Sequence, residues 1–122
     1  MLVSKFINKA IPASEGEVLR IVGSVDAVLF TIENQDASNT LVYKFQESDD
    51  GTTWADIELP LTAGGTATQF SILASQVHTV RVSPTGPRVR LMASGDLSAA
   101  IGIQYFVDTP VDTTALSVFP TT

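Results

Sequence analysis

Residues 41–59 read LVYKFQESDDGTTWADIEL, and this stretch predicts two antiparallel strands joined by a tight turn. Leu41, Tyr43 and Phe45 alternate with the residues between them, which is the period-2 pattern of a strand with one buried face. The Asp-Asp-Gly sequence at 49–51 is typical of a turn, because aspartate bonds its own backbone and glycine adopts left-handed conformations. We therefore expect the fold to be organised around this hairpin.

The turn sets an expected register for the hairpin. The cross-strand pairs that follow are Ser48–Thr52, Phe45–Ala55, Tyr43–Ile57 and Leu41–Leu59. Most of the large apolar residues then share one face. The other face pairs Lys44 with Asp56, an opposite-charge contact that stabilises paired strands, and sets Trp54 beside Gln46.

Length and residue types exclude several classes of active site. A chain of 122 residues forms one domain and buries about two-thirds of its unfolded surface without a metal or disulfide. The absence of cysteine excludes thiol catalysis, and a single histidine, His78, argues against a histidine metal cluster or a serine-histidine triad. We expect a structural role for His78, no enzymatic activity, no metal and no cofactor.

Charge and hydropathy indicate the kind of partner. Charged residues make up only 16% of the chain, against about 25% in typical soluble domains, which suggests that part of the surface is covered by other proteins. The net charge of -6 argues against nucleic acid, and no apolar run reaches the ~18 residues of a membrane span. Residues 1–14 lack the continuous apolar core of a signal peptide, so we interpret them as a mature N-terminus.

Turn signals separate further short strands along the chain. The expected strands, besides the hairpin, cover 17–23, 26–33, 66–72, 77–83, 88–94 and 97–107. Residues 73–76 predict at most one helical turn. About eight short strands without a longer helix predict an all-β fold: an antiparallel β-sandwich, jelly-roll-like or Ig-like, with a barrel as the second choice.

A second hairpin is expected around Pro84-Thr85-Gly86-Pro87, residues 84–87. Its expected pairs are Val82–Val89, Val80–Leu91 and Arg81–Arg90, with Arg88 diagonal to Arg81. Like charges on neighbouring strands are destabilising, so the three arginines call for acidic partners unless they are simply solvated. Candidate acids are Glu15, Glu17 and Asp96, on the same chain or on a neighbouring copy.

Both ends of the chain differ from the middle. Residues 1–17 predict an extended arm or a first edge strand, residues 18–107 the sandwich, and residues 108–122 an extended tail. The tail is too apolar for a disordered segment. Its apolar residues, which fall outside the strand alternation, are Val111, Leu116, Val118 and Phe119. They pack either on a neighbouring subunit or on the chain's own sandwich.

Trp54 and the paired carboxylates are the remaining candidates for a site. In the expected register Trp54 points away from Tyr43 and Phe45, where the N-terminal arm or a loop covers it, or where it anchors a protein contact or stacks on a sugar. The neighbouring carboxylates are Asp49 with Asp50 and Asp56 with Glu58. We expect turn roles for them rather than glycosidase chemistry, with weak calcium binding at Asp49 and Asp50 as the alternative.

The hairpin resembles one known family. Residues 45–54, FQESDDGTTW, are similar to the Q-x-S-x-D-G-x-x-W pattern of small β-sandwich proteins in tailed-bacteriophage virions, and the flanking residues 39–43 and 55–57 are similar too. Related hairpins occur in discoidin-like and carbohydrate-binding sandwiches, which are usually longer and secreted.

The resemblance implies a virion structural protein without catalytic residues. A capsid decoration or cement protein is the member we favour, located on the capsid surface after synthesis in the host cytoplasm, with the major capsid protein and copies of itself as partners. A tail or baseplate component is the first alternative, and a carbohydrate-binding module that uses Trp54 is the second. The residues we expect at protein interfaces are Trp54, Arg81, Arg88, Arg90, Leu116, Val118 and Phe119.

Overall fold

The computed structural model describes residues 2–11, 14–23, 27–61, 63–95, 97–108 and 117–120. These residues form twelve β-strands and no helix, and none of them belongs to a helix able to cross a membrane. The strands are β1 Leu2–Ile11, β2 Gly16–Val22, β3 Ala27–Asn34, β4 Leu41–Ser48, β5 Ala55–Asp56, β6 Leu59–Pro60, β7 Thr66–Ala67, β8 Gln69–Ile72, β9 Val77–Val82, β10 Arg88–Ser94, β11 Leu97–Asp108 and β12 Ser117–Pro120.

The strands build two antiparallel sheets. The first sheet has the order β1-β11-β3-β9, and the second has the order β12-β2-β10-β4, with β5 and β8 both paired to the far edge of β4. The short strands β6 and β7 form a separate hairpin. Along the chain most successive long strands alternate between the sheets, which is the connectivity of a jelly roll. The predicted antiparallel β-sandwich is therefore confirmed, and its order is the jelly-roll one.

The core lies between the two sheets. Val28, Phe30 and Ile32 of β3 are buried against inward residues of β4, and the rings of Phe30 and Phe45 lie 4.8 Å apart between their centroids. On β10, Val89, Leu91 and Ala93 are buried while the residues between them are not. Period-2 alternation therefore predicted correctly which face of these strands is buried.

The predicted register of the central hairpin is wrong. The structure pairs Gln46 with Asp56 and Glu47 with Ala55, and β5 ends after these two residues. The first half of β4 pairs instead with β8, so that Tyr43 faces Phe70 rather than Ile57. The connection between β4 and β5 is longer than a tight turn, because side chains at residues 48–53 hold it by their own hydrogen bonds.

The second predicted hairpin is also wrong. Strand β9 pairs with β3 in the first sheet, whereas β10 lies between β2 and β4 in the second, so residues 83–87 cross from one sheet to the other. A central strand such as β10 needs partners on both sides. Val82 and Val89 are both buried, as their apolar pattern predicts, but they face the same core from opposite sheets. Pro84 and Pro87 interrupt backbone donation in this connection.

The polar segment 34–40 buries two of its side chains, whereas its other residues are exposed. Asn34 and Asp36 are buried, and the Asn34 side chain donates to the carbonyl oxygens of Asn39 and Ile72 at 2.9 and 3.0 Å. The predicted helical turn at 73–76 is instead a turn closed by the Gln76 N–H, which donates to the Leu73 carbonyl, and the Ser75 N–H donates to the carbonyl of Asp36. These bonds fix where β9 begins.

The first and last strands of the described residues lie at sheet edges. Strand β1 forms one edge of the first sheet, and β12 pairs with β2 at one edge of the second. Val118 and Phe119 therefore have backbone partners on their own sandwich, whereas Val111 and Leu116 lie outside the described residues. The domain boundaries after residues 17 and 107 stay predictions.

Candidate protein-interaction surface

The outward side of the second sheet carries a continuous set of polar side chains. We call it the polar face and define it by Glu15, Glu17, Arg20, Lys44, Gln46, Trp54, Asp56 and Arg90. Register places Arg20, Arg90, Gln46 and Asp56 side by side on β2, β10, β4 and β5. Four neighbouring strands thus present one row of side chains.

Trp54 sits on this face with Arg90 above it. The guanidinium carbon of Arg90 lies 4.1 Å from the centroid of the Trp54 ring, which is cation–π geometry. Arg90 is itself held by Gln46, whose Oε1 accepts from Nε at 2.9 Å and from Nη2 at 2.7 Å. The half-buried Trp54 ring is therefore positioned by a side chain that is already fixed.

A second set of contacts links the face across its width. Gln46 donates from Nε2 to Asp56 Oδ1 at 2.8 Å, and Lys44 Nζ lies 3.3 Å from the same oxygen. The hydrogen bond from Gln46, and then Lys44, lowers the pKa of Asp56. Burial opposes charge on Lys44, but Asp56 and Glu15 together outweigh it and raise the Lys44 pKa. The predicted Lys44–Asp56 ion pair thus exists as a diagonal contact.

A β-bulge brings Glu17 onto the same face. The register between β10 and β2 shifts so that Leu91 faces Leu19 whereas Met92 faces Glu17, and both Val18 and Leu19 are buried. Glu17 Oε1 then lies 3.3 Å from Arg20 Nε and 3.6 Å from Arg90 Nη1. Sequence reasoning missed Arg20, although a lone arginine inside the apolar run 18–22 was the available signal.

The structure separates Arg81 from the other two arginines of the predicted cluster, which both lie on the outward side of β10. Arg90 meets Glu17, one of the predicted acids, while Arg88 donates from Nη1 to the carbonyl of Asp49. Arg81 belongs to the other sheet and is exposed there. The predicted Arg81–Arg90 pair is wrong because β9 and β10 are not neighbours.

Trp54 points away from the core, as its sequence position indicated. The contact that the structure describes for its ring comes from Arg90. The roles of Trp54, Arg81, Arg88, Arg90, Leu116, Val118 and Phe119 at interfaces stay predictions. The side chains of Val118 and Phe119 are outside the described part of the structure.

The carboxylate of Asp50 organises the loop beside the polar face. Its Oδ1 accepts from the backbone N–H groups of Thr52 and Thr53 at 2.8 and 2.9 Å and from Ser48 Oγ at 3.1 Å. Gly51 has a φ of 81°, the left-handed conformation expected for it. The hydrogen bonds from Thr53, Thr52 and Ser48 lower the pKa of Asp50, so a structural turn role accounts for this residue.

An acidic cleft of about 280 Å³ adjoins this loop. Glu47 lines it and accepts from the Thr85 N–H at 2.7 Å and from Thr85 Oγ1 at 3.1 Å, which ties the loop after β9 to β4. In the part of the chain that the structure describes, no three acidic or histidine residues form a group able to hold a metal ion. Weak calcium binding at Asp49 and Asp50 stays a prediction.

The lowered pKa of Asp50 makes the free energy of unfolding depend on pH in the acid range. A carboxylate with a lowered folded-state pKa stabilises the fold above its unfolded pKa of about 3.9, and this contribution is lost as the pH falls through the folded value. We therefore expect the stability of the protein to fall below about pH 4, and to fall less steeply in Asp50→Asn, which has no charge to lose. Urea unfolding at pH 7 and pH 3 measures the difference. Equal losses in both proteins would contradict a role for the Asp50 charge.

His78 contacts a buried tyrosine. Its Nδ1 lies 3.2 Å from the hydroxyl oxygen of Tyr43, and burial raises the pKa of Tyr43 to about 12. The two side chains line a groove of about 510 Å³ between β9 and the β6–β7 hairpin. This contact within the sandwich fits the structural role expected for His78.

Comparisons with known proteins identify the fold. No family model and no curated protein matches the chain. A solved structure of Bacillus endospore appendages, which form a novel family of disulfide-linked pili, is 10% identical, covers 90% of this chain and 88% of its own, and has a TM-score of 0.53. PirA is 15% identical, with 85% and 91% covered and a TM-score of 0.48. At these identities the appendage subunit shares the fold.

Proposed function

We propose that this chain is a non-enzymatic structural protein of a tailed-bacteriophage virion. Its specific role is that of a capsid decoration protein, which packs against neighbouring subunits of the major capsid protein through the polar face and stabilises them. The observation that carries the proposal is Trp54, held by Arg90 on the outside of a rigid sheet. The virion surface is the corresponding location.

The geometry of Trp54 suits protein binding. Tryptophan and arginine are enriched among residues that dominate binding energy, and both lie here at the edge of a network that fixes them before a partner arrives. Immobilising a side chain on binding costs about 0.5–1.5 kcal/mol, so a pre-positioned pair loses less. The polar face is therefore ready to bind without rearrangement.

Three further observations support a structural role in an assembly of subunits. The jelly roll is a common architecture of viral capsid domains, and this chain has its strand connectivity. The hairpin at residues 45–54 resembles that of small phage virion proteins, and a pilus subunit of the same fold assembles into polymers. Each of these concerns proteins that function by packing against other subunits.

The carboxylates of the hairpin support a role without catalysis. Asp50 accepts three hydrogen bonds within its own loop, Asp56 accepts from Gln46 and contacts Lys44, and Glu47 accepts from Thr85. These contacts stabilise the fold and leave the carboxylates engaged. Substitution of Asp56 is thus expected to change stability and to abolish no hydrolytic activity.

Binding to capsids that lack the protein tests the proposal. We expect wild-type protein to add to such capsids and Trp54→Ala to bind about 30-fold more weakly, because loss of a dominant contact costs about 2 kcal/mol. Co-sedimentation with capsids over a range of protein concentrations measures the affinities. Thr66→Ala, exposed on the β6–β7 hairpin, is the matched control and should bind like wild type.

Other outcomes would overturn the proposal. Addition of the protein to tail or baseplate components but not to capsids would assign it to the tail. Trp54-dependent binding on a glycan array, without binding to capsids, would identify a carbohydrate-binding module. Circular dichroism of each variant shows that a loss of binding does not come from unfolding.

A further inference from the structure

Strand β9 is an edge strand of the first sheet. It pairs with β3, and no other described strand lies on its second side. Exposed sheet edges offer unpaired N–H and C=O groups to other strands, and proteins commonly protect them with lysine, proline or a bulge. β9 has the sequence VHTVRV, which contains neither lysine nor proline, and its register with β3 is unbroken. Within the part of the chain that the structure describes, none of these three devices protects the edge.

The free peptide groups of β9 can be assigned from the ladder. The Asn34 N–H donates to the Gln76 carbonyl at 2.9 Å, so this opposed pair is a hydrogen-bonded one. Hydrogen-bonded and non-hydrogen-bonded pairs alternate along antiparallel strands. The backbone groups of Val77, Thr79 and Arg81 consequently point away from β3, toward the open side.

Exposed apolar side chains gather at the same edge. Four large apolar residues are exposed among those whose side chains the structure describes: Leu29 at 37%, Leu61 at 41%, Val77 at 51% and Leu73 at 56%. Val77 is the first residue of β9, and Leu73 is the first residue of the turn before it. Leu29 is the register partner of Arg81 on β9. Leu61 lines the groove between β9 and the β6–β7 hairpin. Apolar residues concentrated in this way mark an interaction surface.

We propose that β9 pairs antiparallel with β9 of a second copy of this chain, about a twofold axis at Thr79. In this register Val77 of each copy faces Arg81 of the other, and Thr79 faces Thr79. The three residues with outward peptide groups then pair with one another, each pair exchanging two hydrogen bonds. The two four-stranded sheets become one continuous sheet, and the interface is self-complementary.

Charge complementarity selects a second copy as the occupant. Glu33 is exposed and is the register partner of Val77, so the row of side chains across the joint runs Glu33, Val77, then Arg81 of the second copy. Glu33 and that Arg81 are separated by two strand spacings, about 9.6 Å, which two long side chains span above Val77. Within one chain Glu33 of β3 faces Val77, which is four positions along β9 from Arg81, so the pair forms only between copies.

The groove beside β9 accommodates the incoming strand. Its volume is about 510 Å³, and Leu61 and Phe70 are among its lining residues. Because side chains alternate along a strand, the second copy directs His78 and Val80 to the groove side of the sheet. Leu29 and Val77 become covered on the outer side. Strand β9 belongs to the first sheet, whereas the polar face lies on the second. Dimer formation through β9 therefore does not require binding to a capsid.

Sedimentation equilibrium of the isolated protein tests the pairing. We expect the mass to rise with concentration from the 13.0 kDa of one chain to twice that value. Glu33→Arg and Arg81→Glu should each weaken association by about tenfold or more, because each places like charges together across the joint. The double variant Glu33→Arg, Arg81→Glu restores opposite charges and should regain the wild-type affinity.

A backbone variant provides an independent check. Thr79→Pro removes an N–H that points away from β3, so it should abolish the dimer and leave the intrachain ladder in place. Thr31→Ala, in the neighbouring strand on the same face, is the matched control and should dimerise like wild type. Mass that stays at one chain at every soluble concentration overturns the proposal. A dimer that neither the charge variants nor Thr79→Pro weaken also overturns it, while loss of capsid binding alone bears only on the proposed function.

Discussion

Replacing Phe45 by alanine is expected to lower the free energy of unfolding by about 3–5 kcal/mol. The Phe45 side chain is fully buried, and its ring lies 4.8 Å from Phe30 of the opposite sheet and 5.8 Å from Tyr43, between centroids. Alanine removes the apolar surface that joins the two sheets and leaves a cavity. Because the whole stability of a domain is about 5–15 kcal/mol, this single change should come close to unfolding the protein.

Urea unfolding followed by circular dichroism measures the loss. Phe45→Leu is the matched control and should lose less, because it leaves a smaller cavity at the same position. A Phe45→Ala protein within about 1 kcal/mol of wild type would mean that the two sheets do not share this core.

Replacing Asn34 by alanine is expected to cost about 2–4 kcal/mol, although the residue belongs to a polar segment. Its side chain is fully buried and makes three hydrogen bonds: Nδ2 donates to the Asn39 and Ile72 carbonyls, and Oδ1 accepts from the Asp36 N–H at 3.0 Å. Alanine removes the partner of three backbone groups, of which the Ile72 carbonyl and the Asp36 N–H are buried and therefore costly to leave unpaired.

The effect of Asn34→Ala should extend to β9. The loop that Asn34 holds also binds the following turn, since the Asp36 carbonyl accepts from the Ser75 N–H at 3.1 Å. Hydrogen exchange should therefore speed up at the start of β9 as well as in the loop itself. Thr40→Ala, exposed in the same loop, should change stability by less than about 0.5 kcal/mol. Equal stability of the two variants would contradict a structural role for Asn34.

The sequence predicted more of the fold class than of the site. Alternation identified the buried side of β4, and turn residues located Gly51 with its left-handed conformation. The sequence also predicted that Trp54 points away from the core and that Lys44 contacts Asp56. Arg20 and the position of Arg90 above Trp54 were missed, because both depend on β10 lying between β2 and β4.

Local pattern was sufficient for most of the longer strands between residues 17 and 107 and for the sandwich class, because burial of one face imposes a period of two whichever strand lies alongside. It did not predict β12, which lies in the segment expected to be an extended tail. Which strands are neighbours was decided by the packed fold. Strands β9 and β10 look like a hairpin in sequence, yet each finds its partners in a different sheet. The alternation of Val82 and Val89 is compatible with a β9–β10 hairpin and with the jelly roll. The jelly roll forms because it gives β10 partners on both sides; β9 then lies at the edge of the other sheet. The polar face and the open edge follow from that choice of neighbours, which involves contacts between residues far apart in the chain.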